Sequence, residues 1–323
     1  MAAPLSSIAP ALAVRDLRLS IGGAAVVDGV DFAVAPGEVM ALVGESGCGK
    51  SLTAHAIMRL LPDAVRQERG RVELAGEDLS ALPERLMRRV RGRRVSMIFQ
   101  EPQAALDPLS TVGAQVAEAT RLPRRPAREA VLRMLAEVGI SDPARRIDQY
   151  PFELSGGMCQ RIMIACALIA RPAVLIADEP TTALDVTIQA QILDLLRRLA
   201  VERGTAIVLI THDMGVVADI ADRTAVMYAG RIAETGDTAA VFAAPKHPYT
   251  ALLLAALPRL ADAPGSRLAV IEGRVPTPSE FPPGCRFHGR CPLADDRCRA
   301  VAPPLRDMGG GHLSACWHAE AVV

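Results

Sequence analysis

The stretch Gly44-Glu45-Ser46-Gly47-Cys48-Gly49-Lys50-Ser51 constrains this chain more than any other. It fits G-x-x-x-x-G-K-[ST], the P-loop pattern, in which glycines let the backbone wrap a phosphate with its N–H donors. The run before it, Glu38 to Val43, is short and apolar, as a buried parallel strand is. Behind it, Leu52 to Leu61 can form a helix that Pro62 stops. The N-terminus of that helix adds the positive end of its dipole. In this setting Lys50 reaches the β- and γ-phosphates of a nucleotide, and the Ser51 hydroxyl sits on Mg²⁺. A glycine-rich turn that binds nothing is the plainer alternative, but a chance match of this length between a strand and a helix is improbable.

The chain has 323 residues, enough for a large core and two domains. Its 36 basic and 36 acidic residues cancel, which argues against a dedicated nucleic-acid binder. Arg85, Arg88, Arg89, Arg91, Arg93 and Arg94 make a local basic run, read as a solvated helix face. The most apolar stretches, Ile162 to Ala170 and Ala251 to Leu257, fall far short of the ~20 residues a membrane helix needs. With no secretory signal in evidence, the expected location is cytosolic, and any membrane role requires partner subunits. Seven cysteines in such a chain are not a disulfide framework.

Met1 to Ala11 reads as a mobile tail. Leu12 to Ile21 and Val26 to Val34 alternate apolar and polar residues around Gly22-Gly23, a pattern of antiparallel strands. Val72 to Leu74 and Val95 to Phe99 read as further strands, the latter ending at Gln100. From about 101 to 171 the character is helical, with Leu109 to Arg121 and Arg128 to Val138 at helical spacing between Pro123, Pro126 and Pro143. Leu154-Ser155-Gly156-Gly157-Met158-Cys159-Gln160-Arg161 then opens a helix with Ser155 as its N-cap. Sheet character returns in Ala173 to Ala177, leading into Asp178-Glu179-Pro180. A helix from Asp185 to Arg203 is ended by Gly204. Ala206 to Ile210 is a buried strand ending at Thr211-His212-Asp213, and two last strands flank Gly230.

Gln100, Asp178, Glu179 and His212 all fall at the carboxyl ends of expected strands, where α/β sheets bind ligands. Asp178 is placed to hold Mg²⁺, usually through water, and Glu179 to orient and polarise the attacking water. Phosphoryl transfer asks for this positioning and charge stabilisation more than for covalent chemistry. An acid pair capping the next helix is the bland alternative.

At this point the chain resembles the ATP-hydrolysing subunits of ABC transporters. The resemblance rests on Gly44 to Ser51 (Walker A), Gln100 (Q-loop), Leu154-Ser155-Gly156-Gly157 (signature), Val174 to Glu179 (Walker B), Ala183-Leu184-Asp185 (D-loop) and His212 (switch). It covers roughly residues 12–240 and implies a P-loop α/β fold with an antiparallel β subdomain and a helical subdomain. It also implies a head-to-tail dimer with ATP between the P-loop of one subunit and Ser155, Gly156 and Gly157 of the other. Nucleotide contacts would then come from Gly44, Glu45, Ser46, Gly47, Cys48, Gly49, Lys50, Ser51 and Leu52, with Gln100, Asp178 and Asp185. Mg²⁺ would be held by Ser51, Gln100 and Asp178. Glu179, His212 and Gln100 would be the catalytic set, with His212 on the γ-phosphate and Gln100 linking the metal to the helical segment. The family's adenine-stacking aromatic is replaced by Ile21, so apolar contact from Ile21 and Val27 is expected, with Phe32 facing the core. Cys48 inside the loop predicts that its alkylation blocks ATP binding.

Residues 246–323 form a separate extension by this reading, after a nucleotide-binding domain of residues 1–245. Lys246 to Thr250, Leu252 to Leu254 and Leu257 to Leu260 look like the C-terminal extension of oligopeptide, dipeptide and nickel importer ATPases. The extension is too poor in aromatics to pack a good core unaided. Cys285, Cys291, Cys298 and Cys316 lie as C-x5-C-x6-C-x17-C, wider than paired zinc spacing. A [4Fe–4S] cluster suits four thiols and the Cys291-Pro292 step better; zinc and free thiols remain open. Members of the importer subfamily can carry such a cluster here. His288, His312 and His318 read as solvated surface histidines.

The resemblance implies an importer of peptides, or alternatively of nickel or another small solute. Its implied partners are two integral membrane permeases, a second and different ABC ATPase, and indirectly an extracytoplasmic solute-binding protein. The site of action would be peripheral, at the cytoplasmic face of the inner membrane. A soluble ABC-type ATPase acting on DNA or ribosomes is the rival class; neutral charge and the transporter-like tail weigh against it.

Overall fold

The computed structural model describes residues 9–120, 122–182, 184–257 and 270–322. Its strands are β1 (Leu12–Ile21), β2 (Ala24–Val34), β3 (Val39–Val43), β4 (Val65–Leu74), β5 (Glu77–Asp78), β6 (Val95–Ile98), β7 (Val174–Asp178), β8 (Ala206–Thr211), β9 (Arg223–Tyr228), β10 (Arg231–Asp237), β11 (Arg306–Asp307) and β12 (Leu313–Ser314). The chain divides into two compact units. One comprises Met1–Ala33, Val39–Ser80 and Ile210–Val323; the other comprises Val34–Glu38 and Ala81–Leu209.

In the first unit, β2, β1, β4 and β5 form an antiparallel sheet in that order. Between Val65 and Val72 every residue of β4 is polar or glycine and none is buried, as the edge of a one-sided sheet allows. That polarity explains why only Val72 to Leu74 reads as strand from sequence, whereas pairing with β1 extends β4 back to Val65. A second sheet runs β3, β9, β10, β12, β11. β3 lies parallel to β9, and every residue of β3 is buried, so the uninterrupted apolar run is what its place demands. The helix after the P-loop is Lys50–Met58; Arg59 takes a left-handed conformation (φ 51°) and ends it before Leu61.

The extension does not form a core of its own. Phe287 is buried between Tyr228 and Tyr249, with ring centroids 5.1 and 5.3 Å away. His247 lies beside them, and Cys285 and Cys291 pack on the same cluster. His312 departs from its surface reading. It is buried, and its Nε2 lies 2.6 Å from the fully buried Glu234 carboxylate, which also takes the backbone N–H groups of Lys246 and His247. β12 pairs with β10 at Glu234 and Thr235, which is what brings His312 inside. The stretch 258–269, including Pro258, Arg259 and Leu260 of the expected tail motif, lies outside the described residues, as does most of Met1 to Ala11.

In the second unit β7 lies between β6 and β8, parallel to β6. Its helices include Val112–Glu118, Arg124–Glu137, Gly156–Leu168 and Val186–Arg203. The first is shorter than the spacing suggests, because Thr111 caps it at its N-terminus. Pro126 sits in the first turn of Arg124–Glu137, where a missing N–H is tolerated. Val186–Arg203 is bounded by the Asp185 side-chain cap and by Gly204 at φ 67°.

Burial disfavours the imidazolium of His247 and pushes its pKa down to about 4. The folded value lies below the unfolded value of about 6.5. The neutral ring's contribution is therefore complete above pH ~6.5 and is lost as the pH falls toward 4, because the unfolded chain takes the proton first. His247→Asn keeps a side-chain acceptor for the Tyr249 N–H. Urea titrations at pH 7 and 4.5 should show the parent losing about 2 kcal/mol more unfolding free energy across that interval than the variant. Parallel losses would refute the assignment.

Candidate active site

The P-loop leaves β3 at Val43 and is fitted against the end of β9. A Cβ on Gly44 would stand 2.2 Å from the Met227 carbonyl oxygen, and one on Gly49 would stand 2.9 Å from Val27 Cγ2. Both glycines have positive φ, so glycine is required there for space and for conformation. The turn at Gly230 clips the loop: its N–H donates to the Cys48 carbonyl at 3.0 Å, and its carbonyl accepts from Asp28 N at 2.8 Å.

Lys50 is buried, and its ammonium donates to the carbonyls of Gly44 at 2.7 Å and Glu45 at 3.0 Å. Ser46 and Gly47 are exposed at the loop's crest. The helix Lys50–Met58 begins with Gly49 and no side-chain cap, and the N-terminus of a helix favours an anion. Ile21 ends β1 with 41% of its surface exposed and is free to meet an adenine face. Val27 is not: it is fully buried under Gly49, so the expected base contact from Val27 is withdrawn. Phe32 is buried, as expected. His212 is exposed in this same unit, just ahead of the helix Met214–Ile220 that Asp213 caps.

The second unit carries the acids. Asp178 ends β7 and is 1% exposed. Glu179 follows with φ 48°, a left-handed conformation that costs a non-glycine residue about 1–3 kcal/mol. Its Oε2 accepts from Gln100 Nε2 at 3.1 Å and from Thr182 Oγ1 at 3.0 Å. Gln100 and Glu179, 79 residues apart, are thus one hydrogen-bonded group. Ser155 caps the helix Gly156–Leu168 by accepting from Met158 N, and nothing stands within 4 Å of where a Gly156 Cβ would lie. An open cleft of about 370 Å³ there is lined by Ser155, Gly157, Arg161 and Asp185 among others. Ala183 of the D-loop lies outside the described residues. Gln160 is buried and donates to the Pro180 carbonyl at 2.7 Å, which fixes the signature helix to the loop behind Glu179.

A family model for the ABC transporter matches residues 27–182, and a second, the oligopeptide/dipeptide transporter C-terminal region, matches residues 233–298. The chain is 51% identical over 305 residues to a putative peptide import ATP-binding protein of Brucella ovis, covering 90% of both chains. It is 48% identical over 315 residues to the dipeptide transport ATP-binding protein DppD of Bacillus subtilis, covering 95% of this chain and 94% of that one. The chain belongs to the ABC transporter family.

Solved structures agree. A dimeric ATP-binding cassette in a post-hydrolysis state with ADP and phosphate aligns at TM-score 0.64 with 25% identity, over 70% of this chain and 98% of that one. The cbiO1 protein of Clostridium perfringens aligns at 0.62 with 28% identity, over 72% and 91%. This ABC protein is an ATPase coupled to transport, and ATPases of its kind work with membrane permease subunits. Among the described residues no helix is long and apolar enough to cross a membrane.

The extension of this ABC ATPase gathers its four late cysteines. None is in a disulfide. Burial pushes the Cys316 thiol up to about 11, with Cys291, Cys285 and Cys298 adding to the shift, and the other three thiols are raised by burial as well. Cys285 N donates to the Cys298 carbonyl at 2.8 Å. His288 is turned away, its Nδ1 on the Cys285 carbonyl. Asp295, Cys298 and His318 bring their potential metal-ligating atoms within 4.8 Å of one another. His318 is therefore only half-buried but not simply solvated; its Nε2 lies 3.1 Å from Asp295.

Cys48 is fully buried, and burial raises its thiol even with Lys50 Nζ 3.7 Å away. Packing therefore shields this thiol from reagents in the folded chain. Mass spectrometry after iodoacetamide at pH 8 should find Cys48 unmodified in the native chain and modified after urea. Rapid native alkylation of Cys48 would contradict the packing.

Proposed function

We propose that this chain is the ATP-hydrolysing subunit of an ABC importer for peptides. The carrying observation is near full-length identity of 48–51% to peptide and dipeptide import ATP-binding proteins, together with the match of residues 233–298 to the oligopeptide/dipeptide C-terminal region. In this reading residues 1–245 are the nucleotide-binding domain, with a helical subdomain at about 101–171, and residues 246–323 are the extension.

The P-loop backbone from Gly44 to Ser51, with Leu52, cradles the phosphates of ATP. Lys50 supplies the charge, and Ile21 meets the base. Ser51, Gln100 and Asp178 hold Mg²⁺. Glu179, kept in place by Gln100 and Thr182, orients the attacking water, and His212 contacts the γ-phosphate. Ser155, Gly156, Gly157 and Asp185 act on the nucleotide of a second ATPase, a related but different chain. Closing that dimer on ATP drives the two permeases from one access state to the other, and an extracytoplasmic binding protein delivers the peptide. The assembly sits at the cytoplasmic face of the membrane, with this chain peripheral.

Cys285, Cys291, Cys298 and Cys316 hold a [4Fe–4S] cluster in this proposal. Their mutual proximity supports it, and so does their spacing. Four cysteines at wide sequence spacing would hold such a cluster, whereas zinc sites usually pair theirs more closely. Bound there, the cluster supplies a structural staple; the thiolates are remote from hydrolysis in sequence and role.

Glu179→Gln should lower ATP hydrolysis at least a hundredfold while ATP binding persists, in the chain reconstituted with its permeases and partner ATPase. Hydrolysis that survives would remove Glu179 from its role. Anaerobic purification should yield about four irons and four acid-labile sulfides per chain; stoichiometric zinc instead would replace the cluster assignment.

A further inference from the structure

Glu45, the second residue of the P-loop, is held by side chains from the far end of the sequence. Arg290 makes a two-pronged ion pair with it, Nη1 to Oε2 at 2.7 Å and Nη2 to Oε1 at 3.1 Å. The Arg290 side chain is 7% exposed, against 31% for Glu45. The rest of the guanidinium is used as well. Nε donates to the Glu272 carbonyl at 2.8 Å, Nη2 also to the Ile271 carbonyl at 3.1 Å, and Nη1 also to Tyr228 Oη at 3.4 Å. Such a planar, fully engaged fork has one orientation, which lysine could not reproduce.

Tyr249 supplies a second hold. Its ring is fully buried, and its hydroxyl accepts the Glu45 backbone N–H at 2.9 Å. The third hold comes from within the loop, where Lys50 donates to the Glu45 carbonyl. Glu45 is therefore fixed at side chain, N–H and C=O, and two of the three holds come from residues beyond 245. A P-loop works by presenting its N–H groups at fixed positions to phosphate, so the placement of Glu45 bears on affinity for the nucleotide.

We propose that Arg290 and Tyr249 are positioning residues for ATP: the C-terminal extension sets the shape of the P-loop through Glu45. The proposal rests on the P-loop being the ATP site. It predicts that damage to the extension is read first as weakened nucleotide binding, with the chemical step spared.

The test is MgATP affinity of the full chain by equilibrium binding, with kcat and KM in the reconstituted transporter. Arg290→Ala should weaken ATP binding about tenfold and raise KM with kcat changed less than twofold. Arg290→Lys should recover part of the loss, and Tyr249→Phe should weaken binding by severalfold. Combining Arg290→Ala with Glu45→Ala should add little to either change alone, because both remove the same contact. Should Arg290→Ala fail to fold by thermal melting, Arg290→Lys and Tyr249→Phe carry the test. ATP affinity within twofold of the parent in those variants, or a fully additive double variant, would overturn the clamp. Lys50→Ala keeps the two readings apart: if the parent binds no ATP, the site assignment fails and the clamp with it. If the parent binds, Lys50→Ala does not, and Arg290→Ala binds as the parent does, the clamp alone fails.

Discussion

Tyr228, Tyr249 and Phe287 meet at ring centroid distances of 4.7 to 5.3 Å, with Tyr228 edge-on to both partners. Much of the first unit depends on this contact. Tyr228 ends β9 and follows Met227, whose carbonyl lies against Gly44. Tyr249 opens the helix Pro248–Ala255 and touches the P-loop with its hydroxyl. Phe287 arrives from the cysteine-bearing segment. The chain has three tyrosines, and two of them stand here, where Tyr249 also takes the Glu45 N–H of the loop. Aromatic pairs of this kind contribute about 0.5–1.5 kcal/mol each beyond area burial, and burying Phe287 contributes several more.

The acids follow a different logic. Asp178 closes a fully buried strand, so its carboxylate emerges at a fixed point with no freedom to search. Glu179 must turn out of that strand, and its left-handed φ is how the chain turns. The strain is tolerated because β7 is held by β6 on one side and by β8 on the other. Gln100 and Thr182 then take up the carboxylate, which narrows its rotamers. Phosphoryl transfer gains from such preorganisation more than from any single strong contact.

How much of this was legible in the sequence depends on range. The P-loop, the apolar runs of β3, β7 and β8, the Ser155 cap and the Asp185–Gly204 bounds are local patterns, and residues in them carry their own signal. β4 is only half legible because Arg66 to Arg71 hides a strand whose partner is β1, more than forty residues earlier in sequence. Val27 looked available for adenine because alternation gives a face without saying what covers it; Gly49 covers it. His312 looked solvated because its partner Glu234 is 78 residues away. Arg290 had no local signature at all. The one hint was an acid at the second P-loop position, a charge that a phosphate site would not choose unless something neutralised it.

The segment from Cys285 to Cys291 shows how an extension with little core of its own can still shape an enzyme. Arg286 reaches Asp28 on β2 at 2.7 Å, joining Arg231 and Arg18 on the same carboxylate. Burial alone would raise the Asp28 pKa, but the surrounding guanidiniums hold it below the usual carboxylate range. Phe287 fills the aromatic cluster and Arg290 takes Glu45, so three residues of one short stretch grip β2, the β9 end and the P-loop. Buried charged contacts of this type stabilise little against an apolar alternative, yet removing one partner is costly because the other is left unpaired. They therefore specify one arrangement more than they add stability. Cys285 and Cys291, at the two ends of the stretch, pack on the same hydrophobic cluster as Phe287, so the segment that carries Arg286 and Arg290 is held at both ends by apolar contact.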